Sequence, residues 1–179
     1  NDAVLTKDEN WGVIGDPTEG ALLVAAKKAG LDAKELEKKY LRVNEIPFSS
    51  ERKMMSTVHK SRKNLFVYSK GAPEVIMSKC SRILKNDFQS RLTEVQKEGV
   101  LATVKEFAAK GLRVLAVAYH ETKEHHHENL EKDLVFVGLV GMMDPPRSEV
   151  KDAIKTCHEA GIRVVMVTGD HMDTAVAIA

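Results

Sequence analysis

The sequence predicts a mixed α/β (α+β) chain, an antiparallel sheet flanked by helices and followed by a β-α-β-like unit. Three observations carry this. Runs rich in β-branched and aromatic residues, Ile46 to Val58 and Asn64 to Ser69, are joined by the polar loop His59-Lys60-Ser61-Arg62-Lys63, as in an antiparallel pair. Apolar residues at helical spacing mark helices between the strand-like runs, as at Val100, Leu101, Val104, Phe107 and Ala108. Beyond Gly141 a helix-like stretch leads into Ile162 to Val167, a nearly continuous apolar run of the kind buried in a parallel sheet.

The elements follow in order. Asn1 to Asn10 reads as a polar stretch. Asp16-Pro17-Thr18-Glu19 is a capping-box variant with Pro17 at the first helical position; Leu22, Ala25, Ala26 and Ala29 then supply the apolar stripe, and Gly30 ends the helix. After the strand pair, Pro73 to Leu84 reads as the next helix, and Thr93 to Lys110 as another that Gly111 stops. Leu112 to Tyr119 and Leu134 to Val140 are strand-like, separated by the charged stretch Glu121 to Lys132. His125, His126 and His127 lie in that stretch. Three adjacent histidines cannot share one face, so a solvated loop is the reading, with no metal assigned. Asp144-Pro145-Pro146-Arg147 is a stiff connector because paired prolines deny helix, and it reads as a hinge or boundary. Val150, Ala153, Ile154 and Cys157 mark a last helix ending at Gly161.

Composition narrows the function classes. The 179 residues, 43% hydrophobic, suffice for a core. Lys+Arg 27 against Asp+Glu 26 leaves a net charge of +1, which gives no bulk pull toward nucleic acid or an anionic membrane. Any anion site must be local. Cys80 and Cys157 form neither a disulfide framework nor a zinc motif and fit a reducing compartment, the cytosol by default. The longest apolar run, Leu134 to Met143, is too short to cross a bilayer core of about 30 Å as a helix, and no signal-peptide pattern is visible. The expectation is a soluble piece of a longer chain, since Asp173 to Ala179 reads as a helix without a stop signal.

Several residues are candidates for chemistry. Lys70 stands where the strand Leu65-Phe66-Val67-Tyr68 gives way to Gly71 and to Pro73 at a helix start, so its ammonium can project into a cleft and meet phosphate. An ordinary surface lysine before a turn fits the same heptapeptide. Phe48, five residues before Lys53 near the start of the first strand of the pair, can stack on a base; a core phenylalanine is the competing reading. Arg113 is a charge within an apolar strand that calls for a phosphate or carboxylate, or else faces outward beside an acid. Thr168-Gly169-Asp170 follows the last apolar run, at the strand end where open α/β sheets hold ligands, although a turn and helix cap would use the same residues. There is no G-x-x-x-x-G-K-[ST] loop and no Rossmann glycine fingerprint, so a nucleotide would be held by another device.

Taken together, the segments Gly15-Asp16-Pro17-Thr18-Glu19-Gly20-Ala21-Leu22, Pro47-Phe48-Ser49-Ser50-Glu51-Arg52-Lys53, Ser69-Lys70-Gly71-Ala72-Pro73-Glu74, Leu112-Arg113-Val114-Leu115-Ala116, Asp144-Pro145-Pro146-Arg147 and Thr168-Gly169-Asp170, in this order, resemble the P-type ATPases, and among them the calcium-pump branch. The resemblance implies a nucleotide-binding domain over residues 1–143, and over 144–179 a hinge and partial phosphorylation domain of the haloacid-dehalogenase-like, Rossmannoid kind. It implies ATP as ligand, with Glu19 by the adenine edge, Phe48 stacked on adenine, Lys53, Lys70 and Gly71 lining the pocket, and Arg113 reaching the phosphates. Thr168 would touch the transferred phosphoryl group, with Gly169 and Asp170 shaping its loop. Ser50 stands where some members carry arginine, so no second cation is implied there.

The same resemblance implies a membrane-bound parent whose cytoplasmic side carries this segment. Its partners would be the actuator, phosphorylation and transmembrane domains of the same parent chain and a transported cation, with Mg²⁺ in the full-length enzyme. The aspartate that takes the phosphoryl group is not within these residues, so they are expected to bind ATP without hydrolysing it. The competing readings are a haloacid-dehalogenase-like phosphatase carrying a large cap, and a noncatalytic nucleotide-sensing or interaction module.

Overall fold

A computed structural model describes residues 2–7, 11–62, 64–122, 130–143, 147–167 and 175–176. His125 to His127, Asp144 to Pro146 and Thr168 to Asp170 therefore lie outside the described residues. The chain divides into two units, Asn1–Thr93 with Leu115–Val140, and Glu94–Val114 with Gly141–Ala179.

The first unit opens with a hairpin, β1 (Val4–Lys7) and β2 (Trp11–Ile14), where the sequence reading expected only a polar stretch. Alternation over four residues is too short to stand out against the charged neighbours Lys7, Asp8 and Glu9. Helix α1 (Pro17–Lys28) starts as predicted: the Asp16 carboxylate accepts the Thr18 and Glu19 amides at 2.7 and 3.3 Å. Helix α2 (Ala33–Lys39) is capped in the same way by Asp32 and leads into the sheet.

The sheet has seven strands in the order β3-β4-β5-β8-β9-β6-β7. These are β3 (Leu41–Ser49), β4 (Met54–Ser61), β5 (Asn64–Gly71), β6 (Cys80–Lys85), β7 (Phe88–Arg91), β8 (Arg113–Thr122) and β9 (Leu134–Met142). Among the pairings described, β3 to β4, β4 to β5, β5 to β8 and β6 to β7 are antiparallel, and β6 to β9 is parallel. The antiparallel sheet with helices matches the predicted class.

Three boundaries differ from the sequence reading, each for a local reason. The run 46–58 is two strands, because Glu51-Arg52-Lys53 form a turn in which Lys53 takes φ 53° and its N–H bonds the Ser49 carbonyl at 2.8 Å. The connection between β4 and β5 correspondingly shrinks, since Ser61 already pairs with Asn64. Helix α3 (Pro73–Lys79) is shorter than expected. Cys80 to Lys85 leaves it to pair with β9, and Asn86 and Asp87, both at positive φ, turn the chain into β7 as in a two-residue hairpin.

Strand alternation separates two faces. Met54, Ser56 and Val58 of β4, Leu65, Val67 and Ser69 of β5, and Ala116 and Ala118 of β8 are buried, and α3 adds Ile76 and Met77 to the core. The opposite face carries Met55, Lys70 and Val117 in one cross-strand row and Thr57, Tyr68 and Tyr119 in the next. Lys70 thus stands on the face turned away from the core.

In the second unit, helix α4 (Glu94–Ala109) and helix α5 (Val150–Glu159) run where predicted, each followed by a glycine at φ 74°, Gly111 and Gly161. The apolar run 162–167, predicted as a buried parallel strand, forms no strand among the described residues and is exposed, Val167 to 91%. A strand of this composition becomes buried only between neighbouring strands. The described residues supply it with none.

Candidate functional site

Five of the predicted site residues come together at one end of the sheet in the first unit. The carriers are the N-terminal turn of α1 (Glu19), the end of β3 (Phe48), the β3–β4 turn (Lys53) and the end of β5 (Lys70 and Gly71). Register joins them: Ser49 pairs with Met54, Met54 with Gly71, and Met55 with Lys70. The Lys53 carbonyl also accepts the Ala72 N–H at 2.9 Å, which ties the turn to the segment just beyond Lys70.

Phe48 is not a core residue. Ile46 packs against the cluster of Val58, Leu65, Val67 and Leu130, and strict alternation would place Phe48 on the same side two residues later. The pairing register shifts between Ile46 and Ser49, however, and Pro47 supplies no N–H to the edge strand β3. The Phe48 ring is left 60% exposed. An exposed aromatic ring beside a turn that bears a lysine is a platform on which a flat ring can stack.

Glu19 and Lys70 form an ion pair across this end. Lys70 Nζ donates to Glu19 Oε1 at 2.7 Å, with the two side chains only 20% and 16% exposed. Glu19 Oε2 accepts the backbone N–H groups of Asp2 and Ala3 at 2.7 and 3.3 Å. Burial by itself would raise the pKa of this carboxyl, but the Lys70 ammonium and the Asp2 amide outweigh it and hold the group down at about 2. At neutral pH it is therefore an ionised, acceptor-only group.

Gly71 answers a steric requirement. A Cβ at this position would lie 2.5 Å from the Lys53 carbonyl oxygen and 2.6 Å from Met54 Cβ, so the glycine permits close approach of two backbones. The approach is what brings Lys53 beside the Lys70 strand.

Arg113 begins β8 in the second unit and is exposed. Thr168, Gly169 and Asp170 lie outside the described residues. Lys53 is exposed in its turn, not at the start of a strand as expected.

One group of polar residues escaped the sequence reading. Arg52 Nη2 lies 2.6 Å from both oxygens of Glu131, and its Nη1 donates to the Pro47 carbonyl at 2.9 Å. The buried Ser56 hydroxyl donates to Glu131 Oε1 at 2.6 Å and lies 2.7 Å from the Ser69 hydroxyl. Arg52 was visible only as a neighbour of Lys53. Glu131, 79 residues away, gave no local signal at all.

A family model described as the P-type ATPase cytoplasmic domain N matches residues 1–149. Calcium-transporting ATPase 1 of Bacillus cereus is 48% identical over 172 residues, which cover 95% of this chain and 19% of that protein. The calcium-transporting ATPase of Bacillus subtilis is 42% identical over 183 aligned residues, 100% of this chain and 21% of its own. Cation-transporting ATPase pma1 of Synechocystis is 41% identical over 184, again 100% of this chain and 20% of its own. The chain spans about a fifth of the length of these curated relatives.

Proposed function

Given that this chain belongs to the P-type ATPases, within their cytoplasmic domain N family, we propose that its first unit grips ATP at the sheet end formed by Glu19, Phe48, Lys53, Lys70 and Gly71. The observation that carries the reading is the hydrogen bond from Ala72 N–H to the Lys53 carbonyl. It fixes the turn that bears one lysine and follows the exposed ring against the strand bearing the other. Phe48 stacks on the adenine, which offers a π-face. Lys53 and Lys70 neutralise phosphate charge, and the ionised Glu19 accepts from donors on the adenine edge.

The wider role follows as part of the same proposal. The parent protein transfers the γ-phosphoryl group of ATP to an aspartate and couples this to cation movement across a membrane, calcium being the cation named for two of the relatives above. The nucleotide domain contributes positioning and charge neutralisation, since phosphoryl transfer asks little covalent chemistry of the residues holding the nucleotide. Arg113 reaches the phosphates, Thr168 with Gly169 and Asp170 meets the transferred group, and residues 144–147 are the hinge between a domain of residues 1–143 and the partial phosphorylation domain that follows. No Asp-Lys-Thr-Gly sequence occurs in these 179 residues, so they hold ATP without taking its phosphoryl group.

Among the described residues no group of three or more His, Cys, Asp or Glu side chains is placed to hold a metal ion. Among the same residues no helix is long and apolar enough to cross a membrane. Nuclear magnetic resonance titration of the chain with ATP tests the grip. Amide signals of Phe48, Lys53 and Lys70 should move with a dissociation constant between submillimolar and millimolar, roughly 4 to 5 kcal/mol. Unmoved signals at these positions would end the proposal.

A further inference from the structure

We propose that Arg52 and Glu131 are positioning residues for the nucleotide site, holding its two halves at a fixed spacing from beneath without touching the ligand. This rests on the ATP reading above. The Glu131 carboxylate is the shared anchor. Through Arg52 it reaches the Pro47 carbonyl, the backbone group just before Phe48, and through Ser56 and Ser69 it reaches the residue just before Lys70. The Arg52 N–H adds a 3.2 Å bond to Ser49 Oγ, so the guanidinium and the backbone of one residue grip both flanks of Phe48.

The need for such an anchor comes from the local backbone. At Phe48 the pairing register with β4 is broken, and Lys53 sits at positive φ, a conformation that lysine adopts only where its surroundings impose it. Ladder hydrogen bonds therefore do not fix the ring. A planar guanidinium with a forked set of donors can do so, because it bonds a carboxylate and a carbonyl at once. Glu131 is 16% exposed and Arg52 33%, so the pair is shielded enough to hold its geometry. Ser56 and Ser69 are almost fully buried on the core face of the sheet, whereas Lys70 stands on the other face. The anchor and the ligand groups thus occupy the same strand ends while facing opposite ways.

The test compares ATP with adenosine, both titrated by nuclear magnetic resonance into the 179-residue chain and into Arg52→Ala, Glu131→Ala, the double variant and Arg52→Lys. A positioning role acts on the stacked ring as well as on the Lys70 strand, so Arg52→Ala should weaken adenosine by about fivefold and ATP by at least as much. Glu131→Ala should do likewise, and the double variant should be no worse than either single one. Arg52→Lys, which keeps the charge but not the fork, is the variant safest for folding and should show a smaller loss for both ligands.

Loss of ATP affinity with adenosine unchanged would mean that Arg52 meets phosphate directly, and would overturn the proposal. Additive losses, or an unaltered Arg52→Lys, would overturn it too. If the unsubstituted chain binds ATP and the variants match it, the anchor fails alone; if the unsubstituted chain binds neither ligand, the site reading fails and takes the anchor with it.

Discussion

The Lys70 ammonium lies 2.7 Å from the Glu19 carboxylate, a bond that joins residues 51 apart in sequence and fastens the start of α1 to the end of β5. Both side chains are largely shielded, so the pair is not an ordinary surface contact. Its consequence is measurable as a dependence of stability on pH. Glu19 titrates at about 2 in the folded chain against an ordinary 4.5. A depressed carboxyl stabilises the fold above its unfolded pKa and loses that contribution as pH falls through the folded one. Urea unfolding should therefore show Glu19→Gln less stable than the unsubstituted chain at pH 7, by on the order of 1–2 kcal/mol, with the difference shrinking between about pH 4.5 and pH 2. Parallel curves across that range would remove Glu19 from the account.

Phe48 offers the opposite combination, a large effect on binding with a small one on stability. Its ring is 60% exposed, so truncation opens no cavity. Phe48→Ala should leave the unfolding midpoint nearly unchanged, within about 0.5 kcal/mol. Stacking on a base contributes about 1–3 kcal/mol, so affinity for ATP and for adenosine should both fall by roughly tenfold. Circular dichroism on denaturation and a ligand titration, run on the same sample, separate the two effects.

Gly71→Ala should fail in a different way. The added methyl would meet a backbone oxygen at 2.5 Å and Met54 Cβ at 2.6 Å, and the carbonyl is already committed to Ala72. Relief requires moving the Lys53 turn away from β5. The expected cost is about 1–3 kcal/mol of stability, together with a loss of ATP affinity because Lys53 and Lys70 move apart. An alanine variant that unfolds at the same urea concentration as the unsubstituted chain would show that the two backbones are not held together as described.

How far the sequence could be read depended on whether a signal was local. The Asp16 cap, Pro17 and the stop glycines Gly111 and Gly161 act within a turn of where they stand, and α1, α4 and α5 lie where those residues place them. The stretch from Cys80 to Leu84 reads as helix in the sequence because its apolar residues fit either period. Only its pairing with β9, more than fifty residues later, decides for strand. Phe48 shows the same limit within a site. The motif named the residue, but its exposure depends on a register shift against β4 that no spacing reveals. Glu131 is legible only once the sheet has closed over it, since its partners Arg52 and Ser56 sit 79 and 75 residues away.

Lys70 and Lys38 provide the sharpest comparison of specific with general charge. Both are lysines, and each substitution to alanine removes one positive charge. Lys38 is exposed on α2, whereas Lys70 is mostly shielded at the sheet end beside Gly71. If phosphate is held by a placed ammonium, Lys70→Ala should weaken ATP by tenfold or more, about 1.5–3 kcal/mol for a charged hydrogen bond, and Lys38→Ala should leave it unchanged. One complication is built into the fold: Lys70→Ala also removes the counter-ion of the part-buried Glu19 carboxylate, and losing it can destabilise the start of α1. The double variant Glu19→Gln with Lys70→Ala resolves it. Neutralising that carboxylate should recover part of the stability lost in Lys70→Ala without recovering ATP affinity. Recovery of both together would trace the binding loss to the damaged fold, and equal losses from Lys70→Ala and Lys38→Ala would trace it to diffuse charge attraction.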